Sequence, residues 1–228
     1  MKEINHFHIL YSISQWKDPG TDILGLCVRT SKVLQVAEEL LNKGELYMYS
    51  GKVVMKQPRT GGSLLWHQDY GYWYNSRAVW PYFITIFIAL TKNDRENGGL
   101  QVIKGSHLCG RLDHKFQAGQ QGADVNRVSQ IQRKLETVYC DLNIGDVVFF
   151  HGNLLHSSDA NLSQYKRWAL IFSYNCKENS SDLAHYGALY TRPLEKMSAN
   201  VIKECEDCVI RNRSYLDPKT NSNIDVDA

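Results

Sequence analysis

The 228-residue sequence has almost no excess of charge of either sign, with 26 Lys and Arg against 24 Asp and Glu and a formal charge of +2. That removes the broad basic field on which nucleic-acid or anionic-membrane binding rests, and no local Lys/Arg patch replaces it. Long hydrophobic runs are also missing. The longest largely apolar stretch, Tyr82 to Leu90, covers nine residues, about half of what a membrane-spanning helix needs. The N-terminus, Met-Lys-Glu-Ile-Asn-His-Phe-His, has no sustained apolar region before a small-residue cleavage site. It does not read as a secretory signal, and a cytoplasmic protein is expected. Cysteine is sparse: Cys27, Cys109, Cys140, Cys176, Cys205 and Cys208 are scattered along the chain, which suits a reducing compartment better than a disulfide scaffold. Cys205-x-x-Cys208 lacks the second pair that a zinc site requires, so it reads as structural or incidental. With 5 Pro and 16 Gly the chain is neither collagenous nor low in complexity, and no internal repeat is present. What remains, 43% hydrophobic and 22% charged, is the composition of one globular domain with a sizeable core.

The N-terminal half carries one clear helix signal. Thr30 or Ser31 can cap it, Leu34, Ala37, Leu40 and Leu41 recur at helical spacing, and Gly44 can close it. Beyond it the pattern turns to short β-rich segments separated by Gly, Asn and Asp: 52–55, 82–90, 100–103, 137–140, 146–150 and 168–174. That spacing predicts a sandwich or barrel. In 82–90, Ile84, Ile86, Ile88 and Leu90 fall on one face and Phe83, Thr85, Phe87 and Ala89 on the other, so both faces are expected to be buried in a central strand. Asn93 to Gly99 reads as a polar turn, Gly110 to Lys134 as a long loop able to act as a lid, and the polar stretch after Arg211 as a flexible tail.

Chemistry first shows at Trp66-His67-Gln68-Asp69, where His and Asp two apart share one face of a strand. Alone this means little, since roughly 0.5 such pairs are expected by chance in a chain of this composition. A second cluster changes the balance. Gly145-Asp146 opens an apolar strand that ends at His151-Gly-Asn-Leu-Leu-His156-Ser-Ser158, and Arg167 follows eleven residues after His156. Two His and one carboxylate make a facial triad that holds Fe(II) and leaves positions open for substrate and O2. His67, Asp69 and His156 supply that set, and Arg167 offers a planar fork for a carboxylate. His107 reads as structural, His151, opposite in parity to His156, as a strand cap or backbone partner, and Asp146 as a turn residue.

These residues, together with Glu96-Asn-Gly-Gly-Leu-Gln-Val-Ile-Lys-Gly-Ser-His107, make the sequence resemble the phytanoyl-CoA dioxygenase family of Fe(II)- and 2-oxoglutarate-dependent oxygenases. The resemblance runs from about Asp22 to Thr191. It implies a mainly β fold, a double-stranded β-helix (jelly roll, cupin-like) with flanking helices, occupying residues 22–210, with 1–21 unassigned and 211–228 as tail. It implies that His67, Asp69 and His156 are catalytic iron ligands, that Arg167 pairs with the distal carboxylate of 2-oxoglutarate, and that Ser158 helps Arg167. It places Thr85 and Phe87 at cosubstrate-contacting positions and Trp73 near cosubstrate and substrate. The upstream strand 52–57 is expected to border the same pocket through Val53 and Met55.

The activity implied is hydroxylation of a small-molecule substrate, consuming 2-oxoglutarate and O2 and releasing succinate and CO2. The carboxylate of Asp69 favours hydroxylation over halogenation, because related halogenases replace it to open a chloride position. Two alternatives stand beside this reading: a catalytically quiet metal-binding jelly roll serving as sensor or interaction module, and a cupin-type metal enzyme without 2-oxoglutarate. Retention of all three ligands plus Arg167 speaks against the first, and Arg167 with Ser158 against the second. No cationic cluster is placed for nucleotide phosphates, so an acyl-CoA substrate is not expected. The aromatic series Tyr70, Tyr72, Trp73, Tyr74, Trp80 and Tyr82 is either core or pocket wall. Family members carry more helical residues before the segment matching Asp22, so a short or truncated N-terminal wall is expected.

Overall fold

A computed structural model describes residues 12–16, 19–75, 78–117, 119–179 and 192–205. Two antiparallel sheets face each other. The larger runs β1 (Ser12–Trp16), β2 (Leu46–Lys56), β11 (Arg167–Cys176), β4 (Phe83–Ala89), β9 (Val147–His151), and the smaller runs β3 (Leu64–His67), β10 (His156–Ser158), β5 (Leu100–Ile103), β8 (Thr137–Tyr139). A hairpin of β6 (His114–Gln117) and β7 (Gln120–Ala123) lies beside β3, where the Gln120 side-chain amide accepts from the Leu65 N–H and donates to the Ser63 carbonyl. This is the expected jelly-roll sandwich.

Alternation along the large sheet assigns its two faces. Ile84, Ile86, Leu170, Phe172 and Tyr174 turn outward and pack on Val33, Leu34 and Ala37 of α2 (Ser31–Leu41) and on Val28 of α1 (Ile23–Arg29). Phe87, Ala169 and Phe150 turn inward and meet Leu100 of the small sheet. The small sheet is covered on its far side by Leu112, Ala123, and Val128 and Ile131 of α4 (Val125–Gln132), packed on Ile103 and Leu155. A fourth cluster at one end of the sandwich joins Tyr70 of α3 (Asp69–Trp73) to Ala78 and Phe83. Burying a large aliphatic chain in such a layer contributes about 1.5–3 kcal/mol, and two of these clusters lie outside the space between the sheets.

Several sequence expectations change here. The segment 110–134 is not an open loop: its alternating and helical apolar positions, Leu112, Ala123, Val128 and Ile131, are what the back of the small sheet requires, so it folds as hairpin and helix. Helix α2 ends at Asn42 in the left-handed region (φ 50°), whose N–H bonds the Glu38 carbonyl, rather than at Gly44. Leu40, expected on the buried stripe, is 61% exposed. Ser12–Trp16 pairs with Gly51–Met55 as an edge strand. The expected tail after Arg211, together with Cys208, lies outside the described residues, and the five cysteines described are free thiols.

Leu34 is fully buried in the outer cluster, away from the space between the sheets. Leu34→Ala is expected to lower the unfolding free energy by about 2–5 kcal/mol, read by urea titration, while leaving divalent-metal affinity unchanged in the folded protein.

Candidate metal centre and anion cradle

Strand pairing brings the sequence-distant ligands together. β10 lies between β3 and β5, and its His156 is the direct cross-strand partner of His67. The two imidazole centroids are 4.0 Å apart. Asp69, two residues after His67, opens α3, and its Oδ1 lies 3.8 Å from His156 Nε2. Ligand atoms of His67, Asp69 and His156 all fall within 4.8 Å of one another, and all three residues are buried.

The surroundings orient each ligand. His67 Nδ1 bonds the Leu65 carbonyl (2.7 Å) and His156 Nδ1 the Leu154 carbonyl (2.9 Å). Both carbonyls call for an N–H at Nδ1, which leaves each Nε2 as the lone-pair donor for a metal. Burial and the charge on His156 hold His67 well below its ordinary value, and burial likewise lowers His156 despite the opposing charge of Asp69. Neutral imidazoles are what metal ligation needs. Thr85 Oγ1 donates to Asp69 Oδ2 (2.6 Å), fixing the carboxylate so that Oδ1 faces the imidazoles. Two nitrogens and one oxygen held this way fit a first-row divalent ion with positions to spare.

Gln68, between the two ligands, turns to the opposite side and is fully buried. Its amide donates to the carbonyls of Gly110 and Asn153 and accepts from the Leu112 N–H, while its backbone N–H donates to His114 Nε2. It ties β3 to both the segment after Ser106 and the turn before His156. The ring of His114 packs against Tyr72, which packs against His67. A Cβ on Gly71 would overlap the His114 ring, so α3 can approach only with glycine there.

A second polar group lies at the other end of the inner face. Arg167, 2% exposed, is the register partner of Lys56. Lys56 Nζ donates to Ser158 Oγ (2.7 Å) and to the Asp159 carbonyl (2.5 Å), and Arg167 Nη2 donates to Ser158 Oγ (3.4 Å). Burial and the Arg167 guanidinium push the Lys56 ammonium down to about 6, with Asp159 acting in the opposite direction. Gly98, with φ +72°, seats this end: a Cβ there would overlap the Asp159 carbonyl.

The structure therefore joins Arg167 and Ser158 and adds Lys56, which the sequence reading passed over. The only signal for it was strand parity from Lys52 onward. That parity corrects the expectation for Met55: Met55 pairs with Trp168 and Val53 packs into the outer cluster, so both face away from the space between the sheets. Thr85 bonds a ligand carboxylate, Phe87 is 3% exposed in the inner apolar cluster, and Trp73 packs on Tyr49 and Phe83. His151 accepts from the Asn153 N–H, and Asp146 accepts from the Asn143 N–H across its turn.

Thr85→Val removes the hydroxyl that holds Asp69 while keeping side-chain shape. It is expected to weaken Mn(II) affinity about 10–100-fold, measured by calorimetry, with no change in far-UV circular dichroism.

The profile of the phytanoyl-CoA dioxygenase (PhyH) family matches residues 10–169. L-proline trans-4-hydroxylase from Streptomyces griseoviridis is 31% identical over 176 residues, 70% of this chain and 65% of that protein. Ectoine dioxygenase from Bordetella parapertussis is 28% identical over 184 residues, 75% of this chain and 59% of that protein. The chain thus spans about three fifths of the length of these relatives. Crystal structures of EctD from S. alaskensis with bound Fe (TM-score 0.66, 21% identity, 78% of this chain and 64% of that one) and of the carbocyclase SnoK (TM-score 0.60, 23% identity, 86% and 76%) share the fold. By the extent of the family match, with the triad in place, the chain belongs to the phytanoyl-CoA dioxygenase family.

Proposed function

We propose that the protein is an Fe(II)- and 2-oxoglutarate-dependent dioxygenase that hydroxylates a small molecule. The observation that carries this reading is the pairing, on one inner face, of a buried two-His-one-carboxylate triad with a buried Arg167–Ser158–Lys56 cradle. Family membership and the names of the relatives, which act on L-proline and ectoine, support it.

His67, Asp69 and His156 would hold the iron. Bound iron with 2-oxoglutarate and O2 supplies oxidative decarboxylation to succinate and CO2 and transfer of an oxygen atom to a C–H bond. The chain does the rest. Arg167 presents a guanidinium fork to the distal carboxylate, Ser158 adds a hydroxyl, and Lys56 adds a second cation when protonated. Thr85 holds the Asp69 carboxylate and leaves Oδ1 for the metal. The apolar layer of Phe87, Leu100, Phe150 and Ala169 keeps water from the space between cradle and triad.

The test is succinate release from 2-oxoglutarate after anaerobic loading with Fe(II) and exposure to O2. His67→Ala is expected to abolish release, and Arg167→Ala to raise the 2-oxoglutarate KM roughly 10–100-fold, the range for losing a charge-assisted contact. Wild-type protein that binds metal and 2-oxoglutarate yet releases no succinate would mark the quiet binding module instead. Failure to bind 2-oxoglutarate would remove the oxygenase reading.

Lys56 adds a pH dependence. In the ligand-free protein its ammonium, pushed down to about 6, loses its proton above that pH. A docked dianion restores the charged form, so binding takes up a proton above pH 6, and affinity for 2-oxoglutarate falls as pH rises, by up to about tenfold per unit. The flanking charges are Arg167, which opposes protonation, and Asp159, which favours it. Calorimetry in buffers of differing ionisation enthalpy is expected to show proton uptake at pH 7.5 that Lys56→Met abolishes.

A further inference from the structure

One cation on the inner face takes no part in the arrangement above. On β2, Lys56 and Val54 both project between the sheets: Lys56 reaches Ser158, and Val54, 2% exposed, pairs with the inward-facing Ala169. Alternation puts Lys52 on the same face. Its cross-strand partners are Gln15 of β1 and Ile171, which in turn pairs with Phe87, the last two of the inner apolar layer. Lys52 is half-buried, and among the described residues its ammonium has neither an ion-pair partner nor a hydrogen bond. Its charge is felt by both metal-binding imidazoles, lowering His67 and His156 alike.

The charges of the loaded site make the gap explicit. The two positive charges of the metal and the one on Arg167 are matched by Asp69 and a dianionic cosubstrate, and Lys56 has Asp159 beside it. Among the described residues of this face, Lys52 is the cation left over. It lies four residues from Lys56, about 13 Å along the strand, so the distal carboxylate of the cosubstrate, held in the cradle, is not its counter-charge. The half-buried Tyr49 and Trp73 pack with Phe83, ring centroids 4.6–5.1 Å apart. Tyr49 is on the same strand as Lys52, and Trp73 is on the helix that Asp69 opens. Cation and aromatic wall together describe a site for a small molecule with an acidic group and a compact carbon skeleton.

Resting on the oxygenase reading, we propose that Lys52 determines specificity by binding the carboxylate of the substrate, so that the enzyme acts on a small carboxylic or amino acid. The ion pair would place the far end of the substrate, rather than its carboxyl carbon, toward the metal.

The test uses the full chain loaded anaerobically with Fe(II) and 2-oxoglutarate, whose visible absorption band reports the complex. A panel of the common L-amino acids and of C3–C6 monocarboxylic acids, each beside its methyl ester, is titrated against that band and then assayed for stimulated succinate release. The expected result is that at least one free acid perturbs the band and stimulates release, and that its ester is weaker by tenfold or more. Lys52→Met is expected to keep 2-oxoglutarate affinity within about twofold and to lose tenfold or more in affinity for that acid, with Lys52→Arg restoring most of it.

Equal response to acids and esters, or to no acid, overturns the proposal, as does parallel loss of 2-oxoglutarate affinity in Lys52→Met, which would make Lys52 a cosubstrate ligand. A wild-type protein that forms no 2-oxoglutarate complex would instead remove the underlying oxygenase reading.

Discussion

The pairing of β10 with β3 sets the geometry of everything functional in this molecule. His156 and His67 are cross-strand partners, and the register shifts before Ser158 meets Leu64, so three residues of β3 are spanned by two of β10. With side chains alternating at every residue, a slip of one position would turn His156 out of the space between the sheets and bring Ser157 in. On its other edge β10 pairs with β5, His156 to Val102 and Ser158 to Leu100. A three-residue strand fixed on both sides has little freedom, and it carries one ligand of the triad and the hydroxyl of the cradle two residues apart. The separation of the two sites is therefore a property of the strand.

Such a register has to be held against the cost of burying many polar groups. Gln68 is the clearest case: no part of its side chain is exposed, yet its amide makes three bonds, two as donor and one as acceptor. A buried amide is tolerable only when satisfied, and here its partners are the backbone of exactly those segments that must stay close to β3. Thr85 serves the carboxylate in the same manner, bridging Asp69 Oδ2 and Ser173 Oγ. Polar contacts thus set position, while the apolar layers on the outer faces supply the stability. The arrangement lets the inner face be unusually polar for a sandwich interior.

Much of this was legible in the sequence, for identifiable reasons. The alternation of Ile84, Ile86 and Ile88 with Thr85 and Phe87 marks a strand buried on both faces, and the strand is there. His67, Asp69 and His156 come together as a buried cluster because the strand-exit pattern around His156 and the same-face spacing of His67 and Asp69 are local signals. Lys56 was invisible because a lysine ahead of Gln-Pro reads as a strand end at the surface, and only its pairing with Arg167 reveals burial. Met55 was misplaced for the same reason: without the register, either parity of β2 fits its mixed sequence. The 110–134 segment looked open because hairpin and helix there are amphipathic toward a sheet far away in sequence, and Gly44 looked like the helix end because Asn42 adopts a positive φ less often than glycine does.

Electrostatics tie these strands of reasoning together. A near-neutral chain can still concentrate cations where they matter, and β2 does so by placing Lys52 and Lys56 on one face with Arg167 opposite the second of them. The inner face is then positive at both ends, with neutral imidazoles and a single carboxylate between. An interior of this kind is unfavourable when empty and relaxes when anions enter. Lys56 answers part of that stress by releasing its proton, since it sits against Arg167. Lys52 lies toward the metal end of the same face, where its charge acts on both imidazoles. A dianion in the cradle and an acidic group at Lys52 would each offset one end of that field.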